Sequence, residues 1–255
     1  MSNDEASTPT TAFGIDFGGT GIKGAPVDLE AGDFAKERVR IKTPHPATPE
    51  AVADVIVELL DQFDDVEGPI GVTVPGVVRK GVVHSAANID PAWIGTDADA
   101  LFTKVTGREV HVVNDADAAG LAEARYGVAR NRGGLVIVTT LGTGIGSALI
   151  HDGHLVPNSE LGHLEIEGHE AEKWAANSVR EEKDLSMEQW AERLTVYYRA
   201  LERLFTPELM VVGGGISKHA DEFLPLIEVE TAIVAASLRN KAGAVGAAAF
   251  AAGLV

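Results

Sequence analysis

Two short segments of this chain share one unusual form, in which a strand leads into a glycine-rich turn and then into a second strand. The first segment is GIDFGGTGIKG (14–24), and the second is VTTLGTGIGSALI (138–150). Each begins with apolar residues, turns through glycine and threonine, and continues as another strand. This weak internal repeat predicts two similar lobes, each of which offers one glycine turn to a shared cleft.

Strands and helices alternate along the rest of the chain, which predicts an α/β fold. Residues 34–43 have the pattern of a third strand, and residues 169–182 have that of a helix. The Thr-Pro pair at 48–49 is typical of a helix start, and Gly107 is typical of a helix end. The sequence SMEQ at 186–189 has the form of a capping box and predicts a long amphipathic helix after it.

These elements predict two lobes and a short tail. We expect a disordered tail over residues 1–11, an N-terminal α/β lobe over 12–113 and a C-terminal α/β lobe over 114–241. The final segment, about 242–255, reads as a helix of small residues that can pack back on the N-terminal lobe. Because no low-complexity linker marks the break near residue 113, we expect the lobes to be tightly joined.

The composition argues against several classes of protein and site. The chain has no cysteine, which rules out disulfides and thiolate metal ligands. It carries 38 acidic and 21 basic residues, and its net charge of −17 opposes binding to nucleic acid or an anionic membrane. The N-terminus lacks the apolar core of a signal peptide, and no apolar run approaches the roughly 20 residues of a membrane span. We therefore expect a cytoplasmic protein without nucleic-acid or membrane partners.

The glycine turns are candidate phosphate sites. Bare glycine backbone at a strand end lets N–H groups point at an anion without interference from side chains. Asp16 would repel a phosphate unless it held a divalent cation such as Mg²⁺. The alternative is that the glycines serve turn geometry alone. The predicted phosphate-binding residues are Gly18, Gly19, Thr20, Gly21, Lys23, Gly142, Thr143 and Gly144.

Four motifs stand out along the chain: DFGGTGIK (16–23), VND (113–115), LGTGIG (141–146) and ELGH (160–163). In their order and spacing, and over nearly all of its length after residue 11, the chain resembles the sugar kinases of the ROK family. The resemblance implies a two-lobe actin/hexokinase-like (ribonuclease H-like) α/β fold with a cleft between the lobes.

Within the family, HSAANIDPAWIG (84–95) and the ending LRNKAGAVGAA are most similar to actinobacterial kinases that use polyphosphate. This resemblance implies phosphorylation of the 6-hydroxyl of glucose, with polyphosphate or also ATP as donor and Mg²⁺ as cofactor. It also implies a homodimer. Three alternatives stay open: an ATP-dependent ROK hexokinase for glucose, mannose or fructose, a non-catalytic sugar-binding protein, and a sugar-responsive repressor. Repressors of the family carry an N-terminal helix-turn-helix, for which we expect no room before the first strand.

The sugar site is predicted around Asp115. A carboxylate that ends a buried strand and starts a helix can accept the proton of a sugar hydroxyl. The alternatives are that Asp115 or Asp117 only caps the helix over 116–126, and that His163 is a structural histidine or a metal ligand. The resemblance implies that Asp115 is the catalytic base and that glucose is contacted by Asn88, Asn114, Asp115, Glu160, His163 and Glu172.

Two further segments bear on cofactors. Many ROK proteins carry a cysteine-rich zinc motif after the ELGH histidine, but this chain has EIEGHEAEKWA (165–175), so we expect no structural zinc. Arg38, Arg40 and Lys42 alternate along the predicted third strand, where they either guide a polyphosphate or are ordinary solvated charges. In the family, the region of the third glycine turn, GGGISK (213–218), lies by the nucleotide, but a simple strand-to-helix turn explains it nearly as well.

Overall fold

A computed structural model describes residues 9–65, 68–86 and 89–254 of the chain. Their contacts divide it into two compact units: Met1–Ala118 with Gly243–Val255, and Ala119–Ala242. The first unit is therefore discontinuous in sequence. The predicted domain boundaries near residues 113 and 241 stay a prediction.

The first unit contains a mixed sheet and a small hairpin, whose strands are β1 (Thr11–Gly18), β2 (Gly21–Asp28), β3 (Asp33–Phe34), β4 (Val39–Ile41), β5 (Ile70–Val74), β6 (Val78–Arg79), β7 (Val82–Val83) and β8 (Val110–Asn114). The sheet has the order β3-β2-β1-β5-β8, with β4 also paired to β2, and β6 and β7 form the hairpin. The first glycine turn joins the antiparallel strands β1 and β2. In contrast, β1, β5 and β8 run parallel, so their carboxyl ends share one edge of the sheet.

The helices of the first unit begin and end at recognisable capping residues. Thr48 accepts a hydrogen bond from Ala51 at the start of α1, and Gly107 ends α2 in the left-handed conformation, as predicted. α1 buries its apolar face against the sheet. The helices are α1 (Pro49–Leu60), α2 (Ala98–Thr106), the start of α3 (Asp115–Tyr126) and most of α8 (Ala242–Ala251), with a 3₁₀ turn at Pro91–Trp93.

The last of these helices, α8, packs on strands β1 and β5 of the first unit through glycine and alanine. A methyl group at Gly14 would lie 2.0 Å from the carbonyl oxygen of Ala244, and one at Gly71 would lie 1.9 Å from that of Ala247. On the helix itself, a methyl group at Gly246 would lie 1.8 Å from the carbonyl oxygen of Ala118. Glycine is required at these positions because backbone lies where a side chain would begin.

The second unit is built on a sheet with the order β11-β10-β9-β14-β15 and carries a separate two-stranded ladder; its strands are β9 (Leu135–Leu141), β10 (Ile145–His151), β11 (His154–Val156), β12 (Glu165–Ile166), β13 (His169–Glu170), β14 (Leu209–Gly213) and β15 (Ile233–Ala235). The second glycine turn joins the antiparallel strands β9 and β10. Its helices are α4 (Ala171–Ala175), α5 (Asn177–Glu182), α6 (Met187–Phe205) and α7 (Ala220–Phe223), with 3₁₀ turns at Leu161–His163, Gly215–His219, Leu224–Leu226 and Arg239–Lys241.

The long helix α6 forms as the sequence predicts. The side chain of Ser186 accepts from the N–H of Gln189 at 3.3 Å, and the side chain of Gln189 accepts from the N–H of Ser186 at 3.0 Å. These reciprocal bonds form the predicted capping box. The apolar stripe is buried against the core of the second unit and includes Trp190, Leu194, Tyr197, Tyr198 and Leu201. None of the helices in the described part of the chain is both long and apolar enough to cross a membrane.

Two predicted elements are wrong in their continuity. The strand expected over residues 34–43 is broken into β3 and β4, which both pair with β2 but at separate positions along it. In the segment 169–182, expected to be one helix, the first two residues form strand β13. The helix that follows is interrupted at Ala176, whose backbone is extended. In the first place the two segments pair with different parts of β2, and in the second the short hairpin of β12 and β13 takes the residues that the local pattern assigned to a helix start.

Candidate active site

The parallel strands of the first unit bring the predicted acidic residues to one edge of the sheet. Asp16 near the end of β1 lies beside Thr73 of β5, and Val74 lies beside Asn114 at the end of β8. Asp115 follows as the first residue of α3. In α/β sheets this edge, outside the carboxyl ends of the strands, is where ligands bind.

Asp16 is half-buried and has two polar neighbours. Its Oδ2 lies 3.6 Å from Nζ of Lys23, the residue opposite it on β2. Its Oδ1 lies 3.3 Å from the hydroxyl of Thr73, which also accepts a hydrogen bond from the N–H of Phe17 at 3.0 Å. Thr73 is fully buried and was missed by sequence reasoning, although a lone polar residue in the buried strand IGVTV was a usable signal.

The first glycine turn is covered by an arginine. The guanidinium of Arg40 donates to the carbonyl oxygen of Thr20 at 2.8 Å and lies 3.5 Å from its hydroxyl. A methyl group at Gly21 would lie 2.5 Å from Nε of Arg40, whereas one at Gly19 would meet no atom within 4 Å. The hydroxyl of Thr43 donates to the carbonyl oxygen of Gly18 at 2.6 Å. Arg40 and Thr43 therefore hold the backbone of the turn, and Arg40 places a positive charge beside it.

A small cavity adjoins the same turn. Its volume is about 250 Å³, and Gly19 of the turn is one of its lining residues. Its walls come from the first strand, the segment that precedes α1 and the start of the 3₁₀ turn. They are formed by Phe17, Gly19, Thr43, His45, Pro46, Ala47, Ile89 and Asp90.

The start of α3 is capped by Asn114. Its Oδ1 accepts from the N–H groups of Ala116 at 2.9 Å and Asp117 at 3.0 Å, and its Nδ2 donates to the carbonyl oxygen of Gly76 at 3.0 Å. Asp115 is half-buried, and its Oδ1 shares the N–H of Ala116. The alternative that Asp115 or Asp117 is the principal cap is therefore not needed to explain the helix start.

The second glycine turn is held by a serine and faces a carboxylate. The hydroxyl of Ser178 donates to the carbonyl oxygen of Thr143 at 2.6 Å, and its N–H donates to that of Gly142 at 3.0 Å. Glu172 accepts from the N–H of Ile145 at 3.4 Å. A methyl group at Gly144 would lie 2.3 Å from Oε2 of Glu172. Glycine at 144 therefore makes room for this carboxylate.

Three predicted sugar contacts of the second unit meet around His163. Its Nε2 lies 3.7 Å from Oε2 of Glu160, and its Nδ1 lies 3.8 Å from Oε1 of Glu172. Two other members of this group, Glu170 and Lys173, were not predicted as parts of the sugar site. Glu170 accepts a short hydrogen bond from Nδ1 of His163, and its other oxygen accepts one from Lys173.

The charges in this group alter one another's protonation. The hydrogen bond to Glu170 raises the pKa of His163 above its ordinary value, and the three nearby carboxylates reinforce this effect. Burial raises the pKa of Glu160, although His163 opposes the increase. His163 is therefore more fully charged near neutral pH than an isolated histidine.

Ser147 on β10 sets the position of Glu160. The hydroxyl of Ser147 donates to the carbonyl oxygen of Ser159 at 2.8 Å and accepts from the N–H of Leu161 at 2.9 Å. Since these bonds hold the residues on both sides of Glu160, its backbone is tied to a buried strand.

Asn88, one of the predicted sugar contacts, lies outside the described residues.

The third glycine turn is explained by its backbone. Gly214 has a φ of +85°, and a methyl group there would lie 2.4 Å from the carbonyl oxygen of Leu141. Turn geometry and close backbone packing therefore account for that glycine.

The chain matches the model of the ROK family over residues 12–175. It is 52% identical over 244 residues to a polyphosphate glucokinase of Mycobacterium tuberculosis, a match that covers 95% of this chain and 92% of the relative. It also matches the structure of an inorganic polyphosphate/ATP-glucomannokinase from Arthrobacter sp. strain KM, with 53% identity and a TM-score of 0.93, over 97% of this chain and all of the other.

A more distant solved structure agrees. A ROK family glucokinase from Streptomyces griseus, in complex with glucose and AMPPNP, is 27% identical with a TM-score of 0.81, over 94% of this chain and 99% of the other. These matches confirm the predicted two-lobe actin-like α/β fold class. On the family match and on identity above 50% across nearly the whole chain, this chain belongs to the ROK family.

Proposed function

We propose that this chain phosphorylates the 6-hydroxyl of glucose with inorganic polyphosphate and releases glucose 6-phosphate. One observation carries the proposal: identity of 52–53% over nearly the full length extends to two proteins whose names both specify polyphosphate and a hexose. The residues of the described part of the chain fit the chemistry that this reaction needs.

Asp115 is the proposed general base. It stands at the carboxyl edge of the parallel strands, and its neighbour Asn114 supplies the principal helix cap. The oxygen of the 6-hydroxyl forms a bond to the terminal phosphorus of the donor, and the bond from that phosphorus to the bridging oxygen breaks. The hydroxyl proton passes to the carboxylate of Asp115.

Asp16 is the proposed ligand of Mg²⁺. Its half-buried carboxylate lies beside the hydroxyl of Thr73, and oxygen ligands of this kind suit Mg²⁺, which is commonly held by one or two carboxylates together with water and phosphate oxygens. When bound, the ion would neutralise negative charge on the transferring phosphoryl group.

The sugar is assigned to the carboxylate and imidazole groups described above. We propose that Glu160, His163 and Glu172 bind glucose hydroxyls, because two carboxylates and a charged imidazole offer acceptors and donors in a fixed group. Asn114 and Asn88 keep their predicted roles as further sugar contacts.

The donor is assigned to the two glycine turns. Lys23 and Arg40 place positive charge at the first turn, and Arg40 has no carboxylate within ion-pair distance among the described residues. An arginine whose charge is not compensated within the fold suits a polyanion. The second turn would use backbone N–H groups.

A second candidate donor is ATP. The name of the Arthrobacter protein includes ATP, and the Streptomyces griseus glucokinase was solved with the ATP analogue AMPPNP. An ATP-dependent hexokinase for glucose, mannose or fructose is therefore the nearest alternative.

Turnover with each donor tests the proposal. Glucose 6-phosphate formation is measured with Mg²⁺ and either polyphosphate or ATP, for the wild type and for Asp115→Asn. We expect turnover with polyphosphate and a loss of about 10²–10⁴-fold in the variant. The matched control is Asp97→Asn, since Asp97 caps α2 in the same unit and asparagine caps equally well.

Each other outcome has a defined meaning. Turnover with ATP alone would contradict the polyphosphate assignment and retain Asp115 as base. Turnover with neither donor on glucose, mannose or fructose would leave a non-catalytic sugar-binding protein. Full activity in Asp115→Asn would remove this residue from the mechanism.

The predicted homodimer and cytoplasmic location belong to the same proposal. The dimer is implied by the family, and a cytoplasmic location suits a sugar kinase whose product, glucose 6-phosphate, feeds carbohydrate metabolism such as glycolysis. Light scattering on the purified chain would test the dimer.

A further inference from the structure

A row of alternating charges runs through His163. Nδ1 of its ring donates to one oxygen of Glu170, and the other oxygen of Glu170 accepts from the ammonium of Lys173. On the opposite side of the ring, Nε2 lies 3.7 Å from Oε2 of Glu160. The order is therefore cation, carboxylate, imidazole, carboxylate.

Glu170 stands on a well-anchored part of the second unit. It pairs with Glu165 in the β12–β13 ladder, and the next residue, Ala171, is buried and donates its N–H to the carbonyl oxygen of Leu164 at 2.9 Å. α4 follows directly, and the indole of Trp190 donates to the carbonyl oxygen of Ala175 at 2.9 Å. A carboxylate on such a support can hold a partner in one orientation.

We propose that Glu170 is a positioning residue for sugar binding: it keeps a proton on Nδ1 of His163, so that Nε2 is the ring atom presented to a glucose hydroxyl. This inference rests on the proposed function, in which His163 contacts the sugar. Metal-binding histidines are commonly oriented in the same way, by a carboxylate that accepts from the ring nitrogen not bound to the metal.

The surrounding charges support the assignment. The groups that face His163 are Glu160, Glu170 and Glu172, with Lys173 beyond Glu170. Only Glu170 accepts a hydrogen bond from Nδ1, since Glu172 lies 3.8 Å away. The pKa of His163 is raised mainly by that bond, and the pKa of Glu170 is lowered by Lys173 and His163.

A metal ion is the competing explanation for this group. Ligand atoms of His163, Glu170 and Glu172 lie within 4.8 Å of one another. However, both oxygens of Glu170 already have hydrogen-bond donors, one from the imidazole and one from the ammonium. The arrangement thus supplies its own positive charge where a cation would otherwise be needed.

The first test measures the ring of His163 directly. Nitrogen NMR of the histidine-labelled chain, with His163→Gln to assign the signal, reports the tautomer and the pKa. In Glu170→Gln we expect a lower pKa and a mixture of neutral tautomers in place of the Nδ1-protonated form. Glu165→Gln is the matched control, because Glu165 is exposed and lies opposite Glu170 in the same ladder.

The second test uses the sign of the shift. Lys173→Met removes the cation beyond Glu170, so the pKa of His163 should rise, whereas in Glu170→Gln it should fall. If Glu170 only supported the fold, Glu170→Gln and Lys173→Met would not shift the pKa of His163 in opposite directions. Equal or absent shifts would overturn the proposal.

The third test is glucose binding by calorimetry as a function of pH. A charged imidazole donates a stronger hydrogen bond, so affinity should weaken as the pH rises through the raised pKa of His163. We expect Glu170→Gln to weaken binding about 10-fold at neutral pH and to move this midpoint to lower pH, with partial rescue in Glu170→Asp.

The outcomes separate this inference from the proposed function. If wild-type turnover is seen but Glu170→Gln binds glucose normally and keeps the pKa of His163, the inference fails and the kinase stands. One equivalent of tightly held metal in the purified chain, lost in Glu170→Gln, would also overturn it. If the wild type binds no glucose, the proposed function fails, and the ring measurement still reports the contact with Glu170.

Discussion

The two glycine turns have similar sequences but opposite surroundings. In the first, Gly21 makes room for the guanidinium of Arg40, and in the second, Gly144 makes room for the carboxylate of Glu172. Gly19 and Gly142, in contrast, each have open space where a side chain would begin. Thus within each turn one glycine serves a charged neighbour and another leaves bare backbone. Similar strand–turn–strand units therefore carry opposite charges beside the turn, and in each unit the charge is set by one side chain from elsewhere in that unit.

The strongest test of this contrast is Asp16→Asn in the first unit. If the first turn works with a cation held by Asp16, the loss of this charge should reduce kcat/KM by about 100-fold or more and raise the Mg²⁺ concentration needed. The measurement is the rate of glucose 6-phosphate formation across a Mg²⁺ series. Asp28→Asn, near the far end of the same strand pair, is the control, and an equal loss there would mean general damage to the sheet.

Removing the arginine of the first turn should weaken the donor. Arg40→Ala should raise the KM for polyphosphate about 10-fold, with a smaller effect on ATP and little on glucose, and the difference should shrink in high salt. Arg38→Ala is the control, since the guanidinium of Arg38 lies over the ring of Phe34 instead. An unchanged KM for polyphosphate would mean that Arg40 only shapes the turn.

A methyl group placed in each turn should have opposite consequences. Gly21→Ala would displace Arg40 and is expected to raise the KM for polyphosphate several-fold, whereas Gly144→Ala would displace Glu172 and raise the KM for glucose by a similar factor. Gly133→Ala is the control, because Gly133 lies outside both turns and a methyl group there would make only an ordinary contact, 3.7 Å from Oδ1 of Asp152. If both variants affected the same substrate, the contrast between the turns would be wrong.

The smallest expected effect is on the acid side of glucose binding. Because burial raises the pKa of Glu160, this carboxylate takes up its proton at a higher pH than an ordinary glutamate. Glucose affinity should therefore decline as the pH falls through that raised pKa, and Glu160→Gln should remove the dependence. Calorimetric titration over this range checks it. Affinity that stays constant down to the ordinary glutamate range would remove Glu160 from sugar binding.

Local signals predicted the elements that depend on local chemistry. The caps at Thr48, Gly107 and Ser186 act within a few residues of the helix end they fix, so the sequence shows them directly. The two strand–turn–strand units were also predicted, because each is one hairpin. The break between β3 and β4 was not, since it depends on where each segment pairs with β2.

The candidate site was predicted only in part, for a similar reason. The motifs give Asp16, Asp115, Glu160 and His163, but no motif gives what each of them touches. Thr73 reaches Asp16 because β5 runs beside β1, and Glu170 reaches His163 because a two-residue ladder interrupts the expected helix. Such contacts depend on strand register, which the sequence alone does not determine.

The close packing of α8 also has a consequence for biosynthesis. The helix that lies against Gly14 and Gly71 follows residues 119–242 in the sequence, so the first unit lacks this helix until translation has passed the second unit. Residues 119–242 leave the ribosome earlier and have a core of their own. We therefore expect the second unit to complete its fold before the first, although most of the first unit is synthesised earlier, which reverses the usual N-terminal-first order of folding during synthesis.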